Sequence, residues 1–201
     1  MKPAAPIDVL LIGDSIRLGY QPLVQAAVGG PVVISGPAEN CRSTRDILSN
    51  FDEWLPLSAL GPGKLVHLNA GLHDLRRTPE THGAPLVPLE EFTANLLTIT
   101  SALTAHSGLE MILATTTPVD DARHSIGRTS DRQQRDVLAY NARLVAVATA
   151  KELRLNDLHG VVASDPARFL GPDGVHLSAA GNEVVAAAVA SAIRSAVATA
   201  S

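Results

Sequence analysis

The sequence predicts an α/β protein: a three-layer α/β/α sandwich around a mostly parallel five-stranded sheet. Three observations carry this. Short apolar runs alternate with longer stretches of helical periodicity along the chain. The runs read as strands buried on both faces, as in a parallel sheet covered by helices. The helical stretches between them are long enough to act as crossover connections. With 201 residues and 46% apolar composition, a single domain over 1–201 is expected, and a disordered chain is excluded. Aromatic residues make up only 3%, so the core must be built from Ala, Val, Leu and Ile.

Residues 7–12 read as the first strand and 15–28 as the helix after it. Residues 31–34 give a second strand. The stretch 44–60 is helical in part and interrupted at Pro56, which cannot continue a helix. A turn at Gly61-Pro62-Gly63 leads into a third strand, 65–69. After Gly71 comes a loop rich in Pro, Gly and His that ends near Pro88. Leu89, Phe92, Leu96, Ile99 and Leu103 then recur at helical spacing. Residues 110–115 form a fourth strand, and the polar segment 118–129 is expected to be a loop. A long helix over about 131–152 carries an apolar stripe through Val137, Leu138, Leu144, Val145 and Ala148. Residues 155–158 supply a short fifth strand. The last helix begins near Ser178, whose hydroxyl can cap it, and carries Val184, Val185, Val189 and Ile193.

Composition narrows function. The formal charge of −4 gives no electrostatic reason to bind nucleic acid or an anionic membrane. Cys41 is the single cysteine, so there is no internal disulfide and no multi-thiolate metal site. No cofactor and no metal are expected. The N-terminal region offers Lys2 and then an apolar run too short for a signal sequence, so a cytoplasmic location is expected. The apolar stretch 184–193 is too short to span a bilayer. The sequence is compatible with a homo-oligomer and does not require one.

In an open parallel sheet, ligands bind outside the carboxyl ends of the strands. Three segments lie on that rim. Gly13-Asp14-Ser15-Ile16 comes directly after the first strand and opens a helix, so Ser15 presents its hydroxyl and an unsatisfied N–H together. The alternative is that Asp14 or Ser15 merely caps the helix. Asn69-Ala70-Gly71-Leu72-His73-Asp74 comes after the third strand. Gly71 permits a tight turn, His73 can aim a ring N–H at developing negative charge, and Asp74 can satisfy backbone donors. Polar side chains there can equally serve the turn alone. Asp173-Gly174-Val175-His176 precedes the last helix; its spacing lets Asp173 hold one nitrogen of His176 while the other faces a serine hydroxyl. Cys41 reads as a small space filler, with a reactive thiol as the alternative, and His67 as a core or edge histidine.

Taken together, Gly13-Asp14-Ser15-Ile16 and Asp173-x-x-His176 resemble the first and last blocks of the SGNH hydrolase superfamily, also called the GDSL esterase/lipase family. The likeness spans nearly the whole chain and implies the flavodoxin-like SGNH fold. It implies Ser15 as nucleophile, His176 as general base and Asp173 as its orienting partner. Two blocks depart. His73 stands where the family has the asparagine of Gly-x-Asn-Asp, with Asn69 as a backup donor. The stretch Asn40-Cys41-Arg42 has no glycine where the family has one whose N–H completes the oxyanion hole. The expected hole is therefore the N–H of Ser15, a backbone N–H of Cys41 or Arg42, and His73. Candidate substrate contacts are Asp14, Asn40, Gly71 and Asn69.

The expected activity is hydrolysis of a small-molecule carboxylic ester through an acyl-serine. The polar rim of Asn40, Arg42, His73, Arg76 and Arg77 favours a short acyl group, such as acetyl, on a polar or carbohydrate alcohol. Alternatives are a thioesterase or lysophospholipase, an acyltransferase, or a non-catalytic carbohydrate-binding protein on a degenerate hydrolase scaffold.

Overall fold

The computed structural model describes residues 6–61, 63–124 and 130–199. Lys2, Pro62 of the expected turn, and residues 125–129 of the expected loop lie outside them. The strands are β1 (Ile7–Gly13), β2 (Val32–Ser35), β3 (Lys64–Asn69), β4 (Leu109–Ala114) and β5 (Arg154–Asn156). They form one sheet in the order β2-β1-β3-β4-β5, with every neighbouring pair parallel. The three-layer α/β reading and the parallel sheet hold.

Helices α1 (Ser15–Val28) and α9 (Ala179–Thr199) pack on each other, and α4 (Leu89–Thr104) packs on α6 (Gln134–Ala150) and on α2 (Thr44–Ser49). Right-handed crossovers put these two groups on opposite faces of the sheet. Between them lie Val9, Leu11, Ile12, Leu65, Val66, Leu68, Ile112 and Leu113, all essentially without solvent contact. Each such side chain contributes roughly 1.5–3 kcal/mol over an exposed one.

Several expectations shift in detail. Residues 44–60 divide into α2, a turn of helix α3 (Phe51–Trp54) and a 3-10 turn at Leu57–Ala59, with Pro56 at the break. The segment expected as a loop contains a short helix, α5 (Asp121–His124). The fifth strand ends at Asn156 rather than 158, because the Asp157 carboxylate accepts the Gly160 N–H at 3.0 Å and starts α7 (Leu158–Ala163). A further short helix, α8 (Pro166–Phe169), precedes the last loop. In α6 the buried stripe is Val137, Tyr140, Asn141, Leu144, Val147 and Ala148; Leu138 and Val145 face solvent, being about one hundred degrees off that stripe. Ser178 does cap α9, accepting the Gly181 N–H at 3.0 Å.

The end of β3 is braced. Asn69 Nδ2 donates to the Thr115 carbonyl at 3.1 Å, and Thr116 Oγ1 donates to the Ala70 carbonyl at 2.7 Å. Asn141 of α6 holds Thr116 in turn, through both its backbone N–H at 2.8 Å and its carbonyl at 2.9 Å. Gly71 turns with φ +138°, and a Cβ there would sit 2.1 Å from Thr116 Oγ1. Gly71→Ala is expected to cost at least about 2 kcal/mol. Thermal denaturation should read this as a fall of roughly 4–8 °C in Tm.

Candidate active site

β1 delivers the first segment. Gly13 lies opposite Asn69 of β3, so close that a Cβ on Gly13 would meet the Asn69 carbonyl at 2.8 Å. Asp14 then leaves the strand and caps α1, its Oδ1 accepting the Ile16 N–H at 3.0 Å. The capping role therefore falls to Asp14, and Ser15 stands free of it as the first residue of the helix. At that position the Ser15 N–H has no carbonyl four residues back within the helix. Burial pushes the Asp14 carboxyl upward, opposed by the Ile16 N–H and by Arg132, His176 and Arg17. A buried group engaged in this way is a structural cap rather than a substrate contact.

The loop from Leu170 to Leu177, closed by a bridge between those two residues, brings the other partners in. His176 Nε2 lies 3.0 Å from Ser15 Oγ, and His176 Nδ1 lies 2.6 Å from Asp173 Oδ2. Asp173 Oδ1 accepts the N–H groups of Val175 at 3.0 Å and His176 at 2.9 Å. Burial alone would raise the Asp173 pKa. The hydrogen bonds from the imidazole and the two backbone N–H groups outweigh it and hold the carboxyl down to about 2. An ionised carboxylate at Nδ1 requires the proton there, which leaves the Nε2 lone pair facing the Ser15 hydroxyl.

That loop is clamped from behind by α5. The Asp120 N–H donates to the Gly174 carbonyl at 2.8 Å, Arg123 donates to the Gly171 carbonyl at 3.1 Å, and His124 Nδ1 lies 3.2 Å from the Asp173 carbonyl. Sequence reading gives Arg123 and His124 no such role. Helical spacing offers no signal, because their partners lie nearly fifty residues away.

The expected oxyanion donors fare differently from one another. The Cys41 N–H donates to the Gly13 carbonyl at 3.1 Å, so that donor is already committed and Cys41 is corrected to a strut of the β1 end. Its thiol is fully buried and pushed upward in pKa by that burial, as a space filler would be. Arg42 adopts φ +50°, the left-handed region that favours glycine. Its N–H bonds Asn40 Oδ1 at 2.8 Å, which stabilises this conformation as a local turn. The Asn40 oxygen is therefore turned onto its own loop. Asn69, the backup donor, is 4% exposed and occupied with Thr115.

His73 sits in the turn after β3, where burial, then Arg132 and Arg76, lower its pKa to about 4 against the opposing pull of Asp46. At neutral pH it is an uncharged imidazole with one N–H. Asp74 turns away from its own loop. Its Oδ1 accepts the Thr44 N–H at 3.0 Å and the Thr44 hydroxyl at 2.5 Å, tying the turn after β3 to the start of α2. His67 is buried with its Nε2 3.2 Å from Asn156 Nδ2, and burial lowers its pKa to about 4.

Two buried arginines escape a reading of the sequence alone. Arg17, on the inward face of α1 with Tyr20 and Val24, donates to the carbonyls of Pro37 and Glu39 at 2.7 Å each and reaches Cys41 Sγ at 3.7 Å. A lone arginine in an apolar helical stripe is the signal available. Arg132, 8% exposed, donates from Nε to the Leu72 carbonyl at 2.7 Å. Nothing in its local sequence marks it.

This architecture, a parallel sheet in the order 2-1-3-4-5 with a Ser–His–Asp chain at the carboxyl end of β1, defines an SGNH-type hydrolase. The chain belongs to the GDSL-like lipase/acylhydrolase family, whose sequence profile matches residues 11–184, and it is a carboxylic ester hydrolase. Among solved structures it is similar to a lipase/acylhydrolase of Enterococcus faecalis, at 20% identity and TM-score 0.73, covering 94% of this chain and 95% of that one. It is similar to the acetyl xylan esterase AlAXEase, at 20% identity and TM-score 0.73, covering 93% and 100%. It is also similar to an acetylxylan esterase of Geobacillus stearothermophilus, at 18% identity and TM-score 0.72, covering 96% of each chain. At these identities the likeness establishes the fold. No curated protein matches the chain in sequence. Among the described residues no helix is long and apolar enough to cross a membrane.

The Asp74 carboxyl is fully buried with Oδ2 unpartnered, and burial raises its pKa to about 7 despite the Thr44 hydrogen bonds. A raised folded-state pKa means that the native state binds a proton the unfolded state releases. This contribution is full below the unfolded value of about 4 and is lost as pH rises toward 7. Asp74→Asn keeps an oxygen for Thr44 and cannot ionise. Tm measured for both proteins at pH 4.5 and 7.5 is expected to show wild type losing ground to the variant at the higher pH. A constant difference would remove Asp74 as the titrating group.

Proposed function

We propose that Ser15 attacks the acyl carbon of a carboxylic ester, with His176 as general base and Asp173 as its orienting partner. The observation that carries this is the unbroken chain from Ser15 Oγ to His176 Nε2 at 3.0 Å and from His176 Nδ1 to Asp173 Oδ2 at 2.6 Å. His176 takes the serine proton as the C–O bond forms, then returns it to the departing alcohol as the ester C–O bond breaks. Water, deprotonated by the same imidazole, attacks the acyl-serine, and that proton passes to Ser15 Oγ as the acyl C–Oγ bond breaks, releasing the acid. Asp173, ionised above about pH 2, stabilises the imidazolium in both steps.

The proposed oxyanion donors are the Ser15 N–H, the Arg42 N–H and the neutral His73 imidazole. With Cys41 committed to Gly13, Arg42 is the donor left in that segment, and its left-handed backbone gives it the conformation a glycine would have. For Arg42 to donate to substrate, Asn40 Oδ1 must yield the N–H it now accepts. An arriving oxyanion is the stronger acceptor.

The substrate proposed is a short acyl ester, acetyl above all, of a polar or carbohydrate alcohol. The His176 side chain is 55% exposed, so the reacting bond lies near the surface, where a bulky alcohol can approach and a long acyl chain would remain in water. Two of the structurally similar proteins are named as acetyl xylan esterases, which supports the same choice.

Nitrophenyl acetate, butyrate and octanoate serve as the test. Turnover is expected to fall with chain length, and Ser15→Ala to lower kcat by a factor on the order of 10⁴ or more. Activity that survives in Ser15→Ala would end the acyl-serine reading. His73→Ala is expected to lower kcat on the order of 10²–10³-fold, about 3 kcal/mol, with KM little changed. His73→Asn, which restores an amide donor, should recover part of that loss. An undiminished kcat in His73→Ala would remove His73 from the oxyanion hole.

A further inference from the structure

Several arginines of the molecule have a carboxylate at hand. Arg45 pairs with Glu91 at 2.5 Å, Arg77 with Asp136 at 2.8 Å and Arg123 with Asp120 at 2.7 Å. Arg42 reaches Asp46 at 3.7 Å. Arg76 differs. Among the described residues its guanidinium makes no hydrogen bond or ion pair, and its Nε is buried without a partner. A half-buried cation with no carboxylate bonded to it is costly in a folded protein, and the rest of its guanidinium can welcome an anion.

The position of Arg76 is set by its backbone. Its N–H donates to the His73 carbonyl at 3.3 Å, and its carbonyl accepts the Leu86 N–H at 2.8 Å. His73 and Arg76 are three residues apart, at the two ends of one backbone hydrogen-bonded turn. Arg132 is held against that turn through the Leu72 carbonyl at 2.7 Å. The charges of both guanidiniums are felt at the His73 imidazole. Of the nearby acids, Asp46 closes the capping box of α2 with Ser43 and Asp131 accepts from Gln133 at 2.6 Å; Glu80 feels the charge of Arg76 but lies in solvent, and the buried Asp14 feels that of Arg132.

We propose that Arg76, with Arg132, forms an anion subsite beside His73, so that the preferred ester carries a carboxylate or phosphate on its alcohol portion. This rests on the acyl-serine mechanism: with an acetyl-sized acyl group, only the alcohol is large enough to bear the charge. Such a subsite also gives an acidic chain a local positive field at its reaction centre, which steers an anionic ester toward Ser15.

The test compares kcat/KM for 4-acetoxybenzoate, 4-acetoxyphenyl phosphate and the neutral 4-acetoxybenzamide. The proteins are wild type, Arg76→Gln, Arg76→Lys and, as a control, Arg143→Gln on the exposed face of α6. Wild type is expected to favour at least one anionic ester over the amide by about tenfold or more. That preference should shrink in 0.5 M NaCl, about the screening expected of a partly exposed pair. Arg76→Gln should bring the ratio close to unity, Arg76→Lys should keep part of it, and Arg143→Gln should leave it unchanged. Which anionic ester wins separates carboxylate from phosphate.

Binding of the products 4-hydroxybenzoate and 4-hydroxybenzamide, monitored by NMR titration of wild type and Arg76→Gln, gives a second readout independent of chemistry. Equal turnover of all three esters by wild type, or a ratio that Arg76→Gln does not move, overturns the subsite and leaves the nucleophile standing. No turnover of any ester, with 4-hydroxybenzoate still bound in an Arg76-dependent way, overturns the acyl-serine reading and leaves the subsite standing.

Discussion

Everything at the functional end of this molecule depends on the parallel pairing of β1 with β3. The chain winds outward from β1 to β2 in one direction and then returns to β3 on the other side, so the covering helices leave toward opposite faces. In a sheet of this order, the point where the winding reverses, outside the carboxyl ends of those two strands, is where ligands bind. Gly13 and Asn69 end the strands side by side. The segments leaving these two strand ends, with Ser15 on one side and the His73 turn on the other, are thereby placed on one rim.

A rim built of loops has to be stiffened by polar contacts, because its backbone groups lack a ladder. Three arrangements do this. Asn141 and Thr116 brace the Ala70–Gly71 turn, Asp74 ties that turn to Thr44, and Arg17 gathers the carbonyls of Pro37 and Glu39 beneath the Asn40–Arg42 turn. Each of these groups bonds other parts of the protein. They turn a flexible edge into a pre-organised one, which is the property electrostatic catalysis relies on. The Asp173–His176 loop receives the same treatment from Asp120, Arg123 and His124.

The two departures from the family pattern have a physical reading as well. Arg42 takes up, with the help of Asn40, the left-handed backbone region that glycine favours. His73 is kept neutral by burial and by adjacent arginines, so it resembles an amide donor more than a charged imidazolium.

Strand positions, the long helices, the break at Pro56 and the chemistry-bearing segments around Ser15 and Asp173 were legible in the chain. They depend on contacts within a few residues: apolar period, helix caps and turn chemistry. The short helix at Asp121–His124 and the early end of β5 were not, since a four-residue helix has no period to read and Asp157 acts through a cap. Local sequence therefore determined the element types, the buried strands and the Asp-x-x-His spacing. Tertiary structure alone decided that the Cys41 N–H is spent on Gly13, that Asp74 serves Thr44, that Arg17 and Arg132 lie buried by the site, and that Arg76 Nε has no hydrogen-bond partner among the described residues. The reason is that a polar group is satisfied by whichever donor or acceptor the fold brings near it. Here those partners come from as far as 60 residues away, and no local pattern encodes that distance.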